Sequence, residues 1–250
     1  MQKVIEKDWN TFKKSTQKPL VVVLTGAGIS QESGISTFRD KNGLWENHRI
    51  EEVASPEGWR KNKDLVLHFY NLRRAQAQTV QPNAAHHALK ELEKDFEVVI
   101  ITQNVDNLHE RAGSTNVMHL HGELSKVRST FDPSLIYEIG GEPIKVGDQC
   151  EKGSQLRPHI VWFGEAVPNI YPAMEITQQA DVFMVVGTSL VVYPAAGLID
   201  EVKPITPIFV IDPNIPLHVY DYSNIYVYPE KATTGVPKAI EKIKSLFGIG

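Results

Sequence analysis

The chain has 250 residues, of which 42% are hydrophobic, so it can bury a full core and is not expected to be disordered. Its 26 lysines and arginines are outnumbered by 30 acidic residues, and the net charge of -4 provides no basic field that would attract a nucleic acid backbone. The polar, charged start and the lack of a long apolar run argue against a signal peptide and a membrane span, so we expect a cytoplasmic protein without nucleic acid or membrane partners.

The predicted elements alternate between helices and strands. Residues 4–14 are predicted to form an amphipathic helix with Val4, Ile5, Trp9 and Phe12 on one side. Residues 20–24 are apolar and mostly β-branched, as in a parallel strand that is covered on both faces. Further strands are predicted at residues 96–102, 117–120, 160–163, 182–187, 208–212 and 225–228, and further helices at residues 64–78, 84–94, 104–111 and 236–247. This alternation predicts an α/β fold with a Rossmann-like parallel sheet and helices on both of its faces.

Two stretches interrupt this alternation. Residues 41–80 are mostly polar and helical, and residues 123–156 are rich in glycine, proline and charge. We interpret both as insertions that form a small lid domain, and we assign residues 1–40, 81–122 and 157–250 to the sheet domain. Because ligands of open α/β sheets bind beyond the carboxyl ends of the strands, insertions there would cover the site.

A glycine-rich turn follows the first strand at Gly26 and Gly28. Glycines at this point permit a tight turn and let backbone N–H groups approach an anion at a helix N-terminus. The next glycine is Gly34, so the spacing departs from G-x-G-x-x-G, and a turn that only links strand to helix stays open. The loop nevertheless carries more hydrogen-bonding, aromatic and cationic groups than a linker needs, namely Ser30, Glu32, Ser33, Thr37, Phe38 and Arg39.

A second polar group follows the predicted strand at residues 96–102. Asn104 and Asp106 can hydrogen-bond an amide, and polar side chains in this apolar setting are expected to face a ligand. The alternative is an Asx turn that begins the helix predicted at residues 104–111.

Two histidines lie at the end of the predicted strand at residues 117–120. His121 precedes Gly122, so its ring can project into the same crevice, where a neutral imidazole is a good general base. His119 would face the same way in an extended segment, which is the arrangement of two metal ligands. No cysteine, aspartate or glutamate at ligand spacing accompanies the pair, so we expect His119 to be structural and no metal to bind there.

Five motifs follow one another across most of the chain. They are G-A-G-I-S-Q-E-S-G-I-S-T-F-R from Gly26, T-Q-N-V-D-N-L-H from Thr102, H-L-H-G from His119, R-P and W-F-G-E from Arg157 and Trp162, and G-T-S-L from Gly187. In this order they closely resemble the motifs of the sirtuins, a family of NAD-dependent protein deacylases. The pair Glu32 and Ser33 resembles the branch of that family that includes desuccinylases.

The resemblance implies NAD as the cofactor and assigns roles to residues around it. Asn104 and Asp106 would hold the carboxamide of nicotinamide, and His121 would take a proton from the ribose hydroxyl after the acyl oxygen of the substrate displaces nicotinamide. Phe38 would shield the C1′ centre and Arg39 would pair with the pyrophosphate, although a surface salt bridge is the alternative for Arg39. The implied cofactor-binding residues are Gly26, Ala27, Gly28, Ser30, Glu32, Thr37, Phe38, Arg39, Gln103, Asn104, Val105, Asp106, His121, Gly187, Thr188, Ser189, Asp212, Pro213, Asn214 and Ala232.

The substrate side of the predicted site begins with Tyr70 and Arg73, which lie three residues apart and therefore leave the same face of a predicted helix. They form either an exposed polar face or, as the resemblance implies, a grip for the carboxylate of succinyl- or malonyl-lysine. Gln31 stands where the family has a small alanine beside the acyl channel, so the acyl preference stays open. Residues 161–165 and 189–194 resemble the segments between which sirtuins hold a peptide as an added strand. The implied contacts there are Val161, Phe163, Gly164, Glu165 and Val191.

Two departures from the family pattern change the expectations. Asp212 stands where the family usually has asparagine at the adenosine ribose, and a carboxylate there still accepts hydrogen bonds from a diol but would disfavour a phosphorylated ribose. Most sirtuins also carry two Cys-x-x-Cys pairs that bind zinc. Those positions hold Ser129, Asp132, Gln149 and Lys152, and the single cysteine of the chain, Cys150, falls between them.

The lack of thiolates excludes a tetrahedral zinc site of the family type. We expect a zinc-free module that is held by packing of Phe131, Leu135, Ile136, Tyr137 and Ile144.

The sequence therefore predicts a monomeric NAD-dependent protein lysine deacylase that acts on acylated proteins. An NAD hydrolase or ADP-ribosyltransferase on the same fold is one alternative, and an acyl-lysine channel would separate it from a deacylase. A non-catalytic sensor of NAD or acyl-lysine is the other, and the joint presence of Asn104, Asp106 and His121 argues against it. The chain has no P-loop lysine motif, no Gly-x-Ser-x-Gly elbow and no zinc-protease helix, and a simple dehydrogenase fits the motifs at Asn104 and His121 poorly.

Overall fold

The computed structural model describes residues 1–15, 17–35 and 48–249. Its strands are β1 (Gln2–Val4), β2 (Leu20–Thr25), β3 (Glu97–Thr102), β4 (Val117–His119), β5 (Gly122–Ser129), β6 (Ile136–Glu138), β7 (Leu156–Ile160), β8 (Val182–Val186), β9 (Ile208–Ile211) and β10 (Ile225–Tyr228). Its α-helices are α1 (Ala27–Gln31), α2 (Ile50–Val53), α3 (Pro56–Lys61), α4 (Lys63–Thr79), α5 (Ala84–Leu92), α6 (Leu108–Arg111), α7 (Ile170–Thr177) and α8 (Ala232–Leu246). None of the helices in these ranges is both long enough and apolar enough to cross a membrane.

Six strands form one parallel sheet in the order β10, β9, β8, β2, β3, β4. This order confirms the predicted Rossmann-like sheet. In β2, Thr25 lies opposite Thr102 of β3 and Val186 of β8. The loops that leave these three strands therefore begin side by side at one edge of the sheet, which is where ligands of such sheets bind.

Both faces of the parallel sheet are covered, as the apolar sequence of β2 predicts. Val21 and Val23 pack into a core with helices α5 and α8. Leu20, Val22 and Leu24 pack into a second core with helix α7. All five side chains are fully buried, and each burial contributes roughly 1.5–3 kcal/mol relative to an exposed position.

Four strands form a second, antiparallel sheet in the order β1, β6, β5, β7. Helices α2, α3 and α4 pack with it around a core that includes Trp59, Phe69 and Trp162. The strand predicted at residues 160–163 is wrong in its limits, because β7 ends at Ile160 and pairs with β5 instead of joining the parallel sheet. Trp162 lies beyond the end of the strand and is buried by side-chain packing in this core, so its apolar character does not report strand pairing.

The two sheets meet at His121 and Gly122. The Val161 N–H donates to the His121 carbonyl at 2.9 Å. Gly122 has a φ of +80°, and a Cβ atom there would lie 2.0 Å from the His159 carbonyl oxygen, so only glycine fits. The division into sheet and lid domains stays a prediction, and the small sheet also draws β1 and most of β7 from outside residues 123–156.

The amphipathic helix predicted at residues 4–14 is wrong. Strand β1 pairs with β6, Ile5 is 94% exposed, and only Trp9–Thr11 form a short 3₁₀ helix. The Asp8 carboxylate accepts the Asn10 N–H at 3.0 Å, so a local side-chain bond and strand pairing replace the longer helix.

A polar cluster occupies the region where the family pattern would place zinc. The hydroxyls of Ser129 and Ser154 are 2.7 Å apart, and Lys152 Nζ lies 2.8 Å from Asp132 Oδ2. Hydrogen bonds with Ser129 and Ser154 lower the pKa of the buried Cys150 thiol to about 7. These groups satisfy one another's hydrogen bonds across the module.

The apolar side chains that were expected to hold this module divide into two groups. Four of them are buried, namely Leu135, Ile136, Tyr137 and Ile144. Phe131 is 77% exposed, so the prediction that it packs is wrong. Its N–H donates to Ser129 Oγ at 3.1 Å, in a turn that leaves the ring in solvent.

Candidate active site

A cleft of about 590 Å³ opens at the carboxyl ends of β2, β3 and β8. It brings together residues that are far apart in sequence because the strands that carry them are neighbours in the parallel sheet. The predicted site residues that line it are Gly26, Ala27, Gly28, Ser30, Gln31, Glu32, Tyr70, Arg73, Gln103, Asn104, Val105, Asp106, His121, Val161, Phe163, Gly164, Glu165, Gly187, Thr188, Ser189, Asp212, Pro213, Asn214 and Ala232.

A few predicted and observed lining residues differ. Val191 is 47% exposed and does not line the cleft, whereas the next residue, Val192, does. Thr37, Phe38 and Arg39 lie outside the described residues. Sequence reasoning missed Ile35, Ala54, Val167 and Lys231, which also line the cleft. Single residues of this kind carry no signal in the sequence, because only the tertiary fold turns them toward the cleft.

The loops that follow β2 and β8 contact each other through their backbones. The Gly28 N–H donates to the Gly187 carbonyl at 2.9 Å. A Cβ atom on Gly28 would lie 2.6 Å from Gly187 Cα, so the two loops approach as closely as their backbones allow. The glycine turn therefore does more than link a strand to a helix, because it also packs directly against the loop that follows β8.

A Gly28→Ala variant is expected to lose roughly 1–3 kcal/mol of stability, because its Cβ atom would force the Gly187 backbone to move. Thermal unfolding measures this loss. Gly197→Ala is the matched control, since a Cβ atom there meets only Tyr193 at 3.6 Å. Equal melting temperatures for the two variants would contradict the tight loop contact.

Asn104 is fixed on several sides at the end of β3. Its Nδ2 donates to the Gly26 carbonyl at 3.1 Å and lies 3.2 Å from Ser30 Oγ. Its backbone N–H donates to Thr102 Oγ1 at 3.0 Å. These bonds use the amide nitrogen and leave the Asn104 Oδ1 atom to accept a hydrogen bond from a ligand.

Asp106 combines the two roles that the sequence left open. Its Oδ1 accepts the Leu108 N–H at 3.1 Å, so it forms an Asx turn that leads into helix α6, which is shorter than the helix predicted at residues 104–111. The carboxyl group is also part of the cleft and only 5% exposed. Burial raises the pKa of Asp106, although hydrogen bonds from Leu108 and Ser30 oppose that shift.

His121 has the chemistry of a general base. Its Nδ1 lies 3.1 Å from the Gln103 carbonyl, which only accepts, so Nδ1 carries the proton and Nε2 is left as a proton acceptor. Burial lowers the pKa of His121, the bond to Gln103 opposes that shift, and the nearby positive charge of His119 adds to it. The ring is therefore neutral at physiological pH.

The other end of the cleft contains a buried cation and a phenol. Arg73 is 7% exposed, so the alternative of an exposed polar face is wrong. The Tyr70 hydroxyl accepts the Trp162 Nε1–H at 3.1 Å. Burial raises the pKa of Tyr70, so the hydroxyl keeps its own proton and can donate it in a hydrogen bond. Gln31 lines the same cleft from α1.

Glu165 shapes the wall of the cleft. Its carboxylate lies 2.6 Å from Arg157 Nη1 and accepts the Trp162 N–H at 2.8 Å. The Arg157 guanidinium also stacks on the Trp162 ring, 3.3 Å from its centroid. These contacts fix the turn at residues 162–165, which carries Phe163 into the cleft.

Acidic groups mark the end of the cleft near β9. Asp212 Oδ1 accepts the Asn214 N–H at 2.7 Å, and burial raises the pKa of Asp212. Glu32 accepts the Thr233 N–H at 3.1 Å at the start of helix α8. A second carboxylate oxygen of Asp212 is left to accept hydrogen bonds from a diol.

His119 lies outside the cleft lining, and the prediction that no carboxylate accompanies it is wrong. Its Nε2 is 2.8 Å from Glu110 Oε1, and donor atoms of Glu110, His119 and Glu123 lie within 4.8 Å of one another. Sequence spacing concealed this group because the two glutamates come from α6 and β5. Glu123 is also paired with Lys126, so the group is held by its own ion pairs.

Comparison with known proteins agrees with this geometry. The model of the Sir2 family matches residues 26–194. An NAD-dependent protein deacylase of Bacteroides thetaiotaomicron is 51% identical over 232 residues, which cover 91% of this chain and 97% of that protein. A Sir2 homologue mutant in complex with ADP-ribose has a TM-score of 0.83 and 40% identity over 94% of this chain and 95% of that one. A Sir2 homologue in complex with NAD has a TM-score of 0.81 and 40% identity over 92% of this chain and 91% of that one.

Proposed function

The chain belongs to the Sir2 family and is an NAD-dependent protein deacylase, and from that premise we propose that it removes acidic acyl groups, succinyl and malonyl, from lysine side chains alongside acetyl. The observation that carries this proposal is the buried guanidinium of Arg73 in the same cleft as His121. The guanidinium can form a charge-assisted hydrogen bond with an acyl carboxylate, and a neutral acetyl group offers no such bond.

The residues of the cleft fit NAD. Gly28 and Gly187 have no side chain that would keep a phosphate away from the two loops, and the Asp212 carboxylate suits a ribose diol. When bound, NAD supplies an electrophilic C1′ carbon from which nicotinamide leaves. Asn104 Oδ1 would accept from the nicotinamide carboxamide, and Asp106 would face the same group.

His121 would then act at a defined atom. Its Nε2 would take a proton from a ribose hydroxyl, while the Nδ1–H bond to Gln103 holds the ring in place. With one water molecule consumed, the expected products from NAD and acyl-lysine are nicotinamide, the free lysine and an O-acyl-ADP-ribose.

The acyl group would lie between Arg73, Tyr70 and Gln31. The Tyr70 hydroxyl is oriented by Trp162 and would donate to the acyl carboxylate beside the guanidinium. Gln31 would either narrow this end of the cleft or donate a further hydrogen bond to the acyl group. The peptide would enter between residues 161–165 and 189–194, where main-chain pairing tolerates many sequences.

Mass spectrometry tests this function directly. Matched acetyl-, succinyl- and malonyl-lysine peptides are incubated with the protein, with and without NAD, beside a His121→Tyr control. NAD-dependent acyl loss with the highest rate on succinyl or malonyl peptides supports the proposal, whereas acetyl loss alone overturns the acidic preference. Consumption of NAD with every peptide intact would instead favour an NAD hydrolase or ADP-ribosyltransferase.

We also propose that the small module needs no zinc, since Ser129, Ser154, Asp132 and Lys152 already satisfy one another at that place. Metal analysis of the purified protein is expected to find zinc well below one atom per chain. A chelator is expected to leave the melting temperature unchanged, because no metal bond contributes to folding. Stoichiometric zinc, or a fall in melting temperature with chelator, would contradict this. The cytoplasmic location and the monomeric state stay predictions.

A further inference from the structure

His119 and His121 hold two successive carbonyls of the same loop. His119 Nδ1 lies 3.0 Å from the Asn104 carbonyl, and His121 Nδ1 lies 3.1 Å from the Gln103 carbonyl. Both rings leave the same side of the chain at the end of β4, because they are two residues apart in an extended segment. The loop that carries Asn104 is therefore anchored twice by equivalent bonds.

The two rings differ at their second nitrogen. In His121 the second nitrogen, Nε2, remains as a proton acceptor that faces the cleft. In His119 the same atom is 2.8 Å from Glu110 Oε1. A carbonyl and a carboxylate only accept hydrogen bonds, so both nitrogens of His119 must donate, and the ring is an imidazolium. Its side chain is only 7% exposed. The same anchoring thus yields one neutral base and one fixed cation, and Glu110 makes the difference.

We infer that His119 is a positioning residue for the deacylation reaction: as an imidazolium held by Glu110, it fixes the Asn104 peptide and favours the neutral form of His121. This inference rests on the proposed role of His121 as the general base. Asn104 is then held through its carbonyl, its N–H and its side-chain amide, so its Oδ1 atom has one position in the cleft. A fixed acceptor lowers the entropy that ligand binding must overcome.

The surroundings of His119 agree with a permanent charge. Burial opposes protonation, but the bond with Glu110 and the charge of Glu123 raise the pKa of His119 to about 9. The charged and titratable groups around it are Glu110 on α6, Glu123 and Lys126 on β5, Glu6 after β1, Asp106 before α6, His109 on α6 and His121 after β4. Across neutral pH the cation is therefore present, and its charge disfavours a second proton on His121.

Three variants separate position from charge. His119→Asn keeps a donor near Nδ1 for the Asn104 carbonyl but removes the charge. His119→Gln loses that donor as well. Glu110→Gln keeps an acceptor for His119 Nε2–H but removes the carboxylate that keeps the ring charged. His159→Asn is the matched control, because His159 Nε2 lies 2.9 Å from Glu6 in a similar pair whose histidine does not line the cleft.

The pH profile of kcat/KM and inhibition by nicotinamide provide the readouts. All three test variants are expected to move the acid limb of the profile to higher pH, because His121 then takes up a proton more readily. His119→Gln should in addition raise the KM for NAD about tenfold and weaken inhibition by nicotinamide, since Asn104 is no longer held. His159→Asn should change neither readout.

Acid limbs that coincide with that of the wild type, together with an unchanged KM for NAD, would overturn the inference and leave His119 a merely structural residue. If the His119 variants do not fold, Glu110→Gln decides alone, since its side chain is 37% exposed and tolerates an isosteric change. A wild type without NAD-dependent deacylation would overturn the proposed function itself, and this inference with it.

Discussion

The His121→Asn variant is expected to deacylate about 10²–10⁴-fold more slowly than the wild type while it binds NAD with nearly unchanged affinity. The amide of asparagine can keep the donor to the Gln103 carbonyl, so the loop retains its anchor, but no basic nitrogen replaces Nε2. Release of O-acyl-ADP-ribose measures the rate, and calorimetric titration with NAD measures the affinity.

Two controls accompany this prediction. His87→Ala removes an exposed histidine of α5 and should leave the rate unchanged. The wild-type kcat/KM should rise with pH through the pKa of His121 and then stay level, because the neutral ring is the active form. Since burial lowers that pKa, the level region should extend below the pH at which an ordinary histidine is protonated. Rapid deacylation by His121→Asn would exclude a base role.

The Arg73→Met variant is expected to lose about 10–100-fold in kcat/KM on succinyl- and malonyl-lysine peptides and to keep deacetylation within about threefold. Methionine retains much of the apolar stem but cannot offer a charged donor to the acyl carboxylate. A neutral acetyl group makes no such bond, so the ratio of the two activities isolates the interaction. Rates on matched peptides of one sequence measure it.

The controls for Arg73 test charge and location separately. Arg73→Lys keeps the charge without the planar fork and should recover part of the desuccinylase activity. Tyr70→Phe removes only the hydroxyl and should have a smaller effect than Arg73→Met. Arg60→Met changes an exposed arginine of α3 and should have no effect. An Arg73→Met protein with full desuccinylase activity would remove the basis of the acidic preference.

The sequence predicted the parallel sheet because its strands are buried on both faces. Residues 20–25 are buried on both faces of the sheet, so neither face needs polar residues and the apolar run clearly indicates a strand. The site followed from the same logic, since Gly26, Gln103 and Gly187 each come directly after such a strand, and parallel strands end at one edge. Motif order then supplied the roles.

The wrong predictions have a different cause, which is that individual contacts override the hydrophobic pattern of the sequence. Residues 4–14 have helical periodicity, yet Val4 belongs to β1, which pairs with β6 more than a hundred residues away. Phe131 is apolar but is turned outward by a local bond to Ser129. The partners of His119 were missed because Glu110 and Glu123 reach it from two separate elements, and no linear spacing reports that.

The junction at His121 and Gly122 limits how this chain can exchange parts with its relatives. His121 and Gly122 come before residues 123–156 in the chain. The residues they contact, His159 and Val161, come after that segment. A chimaera in which only residues 123–156 are exchanged keeps both sides of this contact from one parent. A single crossover within residues 123–156 takes the two sides of this contact from different parents, and a Cβ atom at position 122 has no room there. Recombinants of that kind are expected to misplace His121, the proposed base, even though every residue of the proposed site is present.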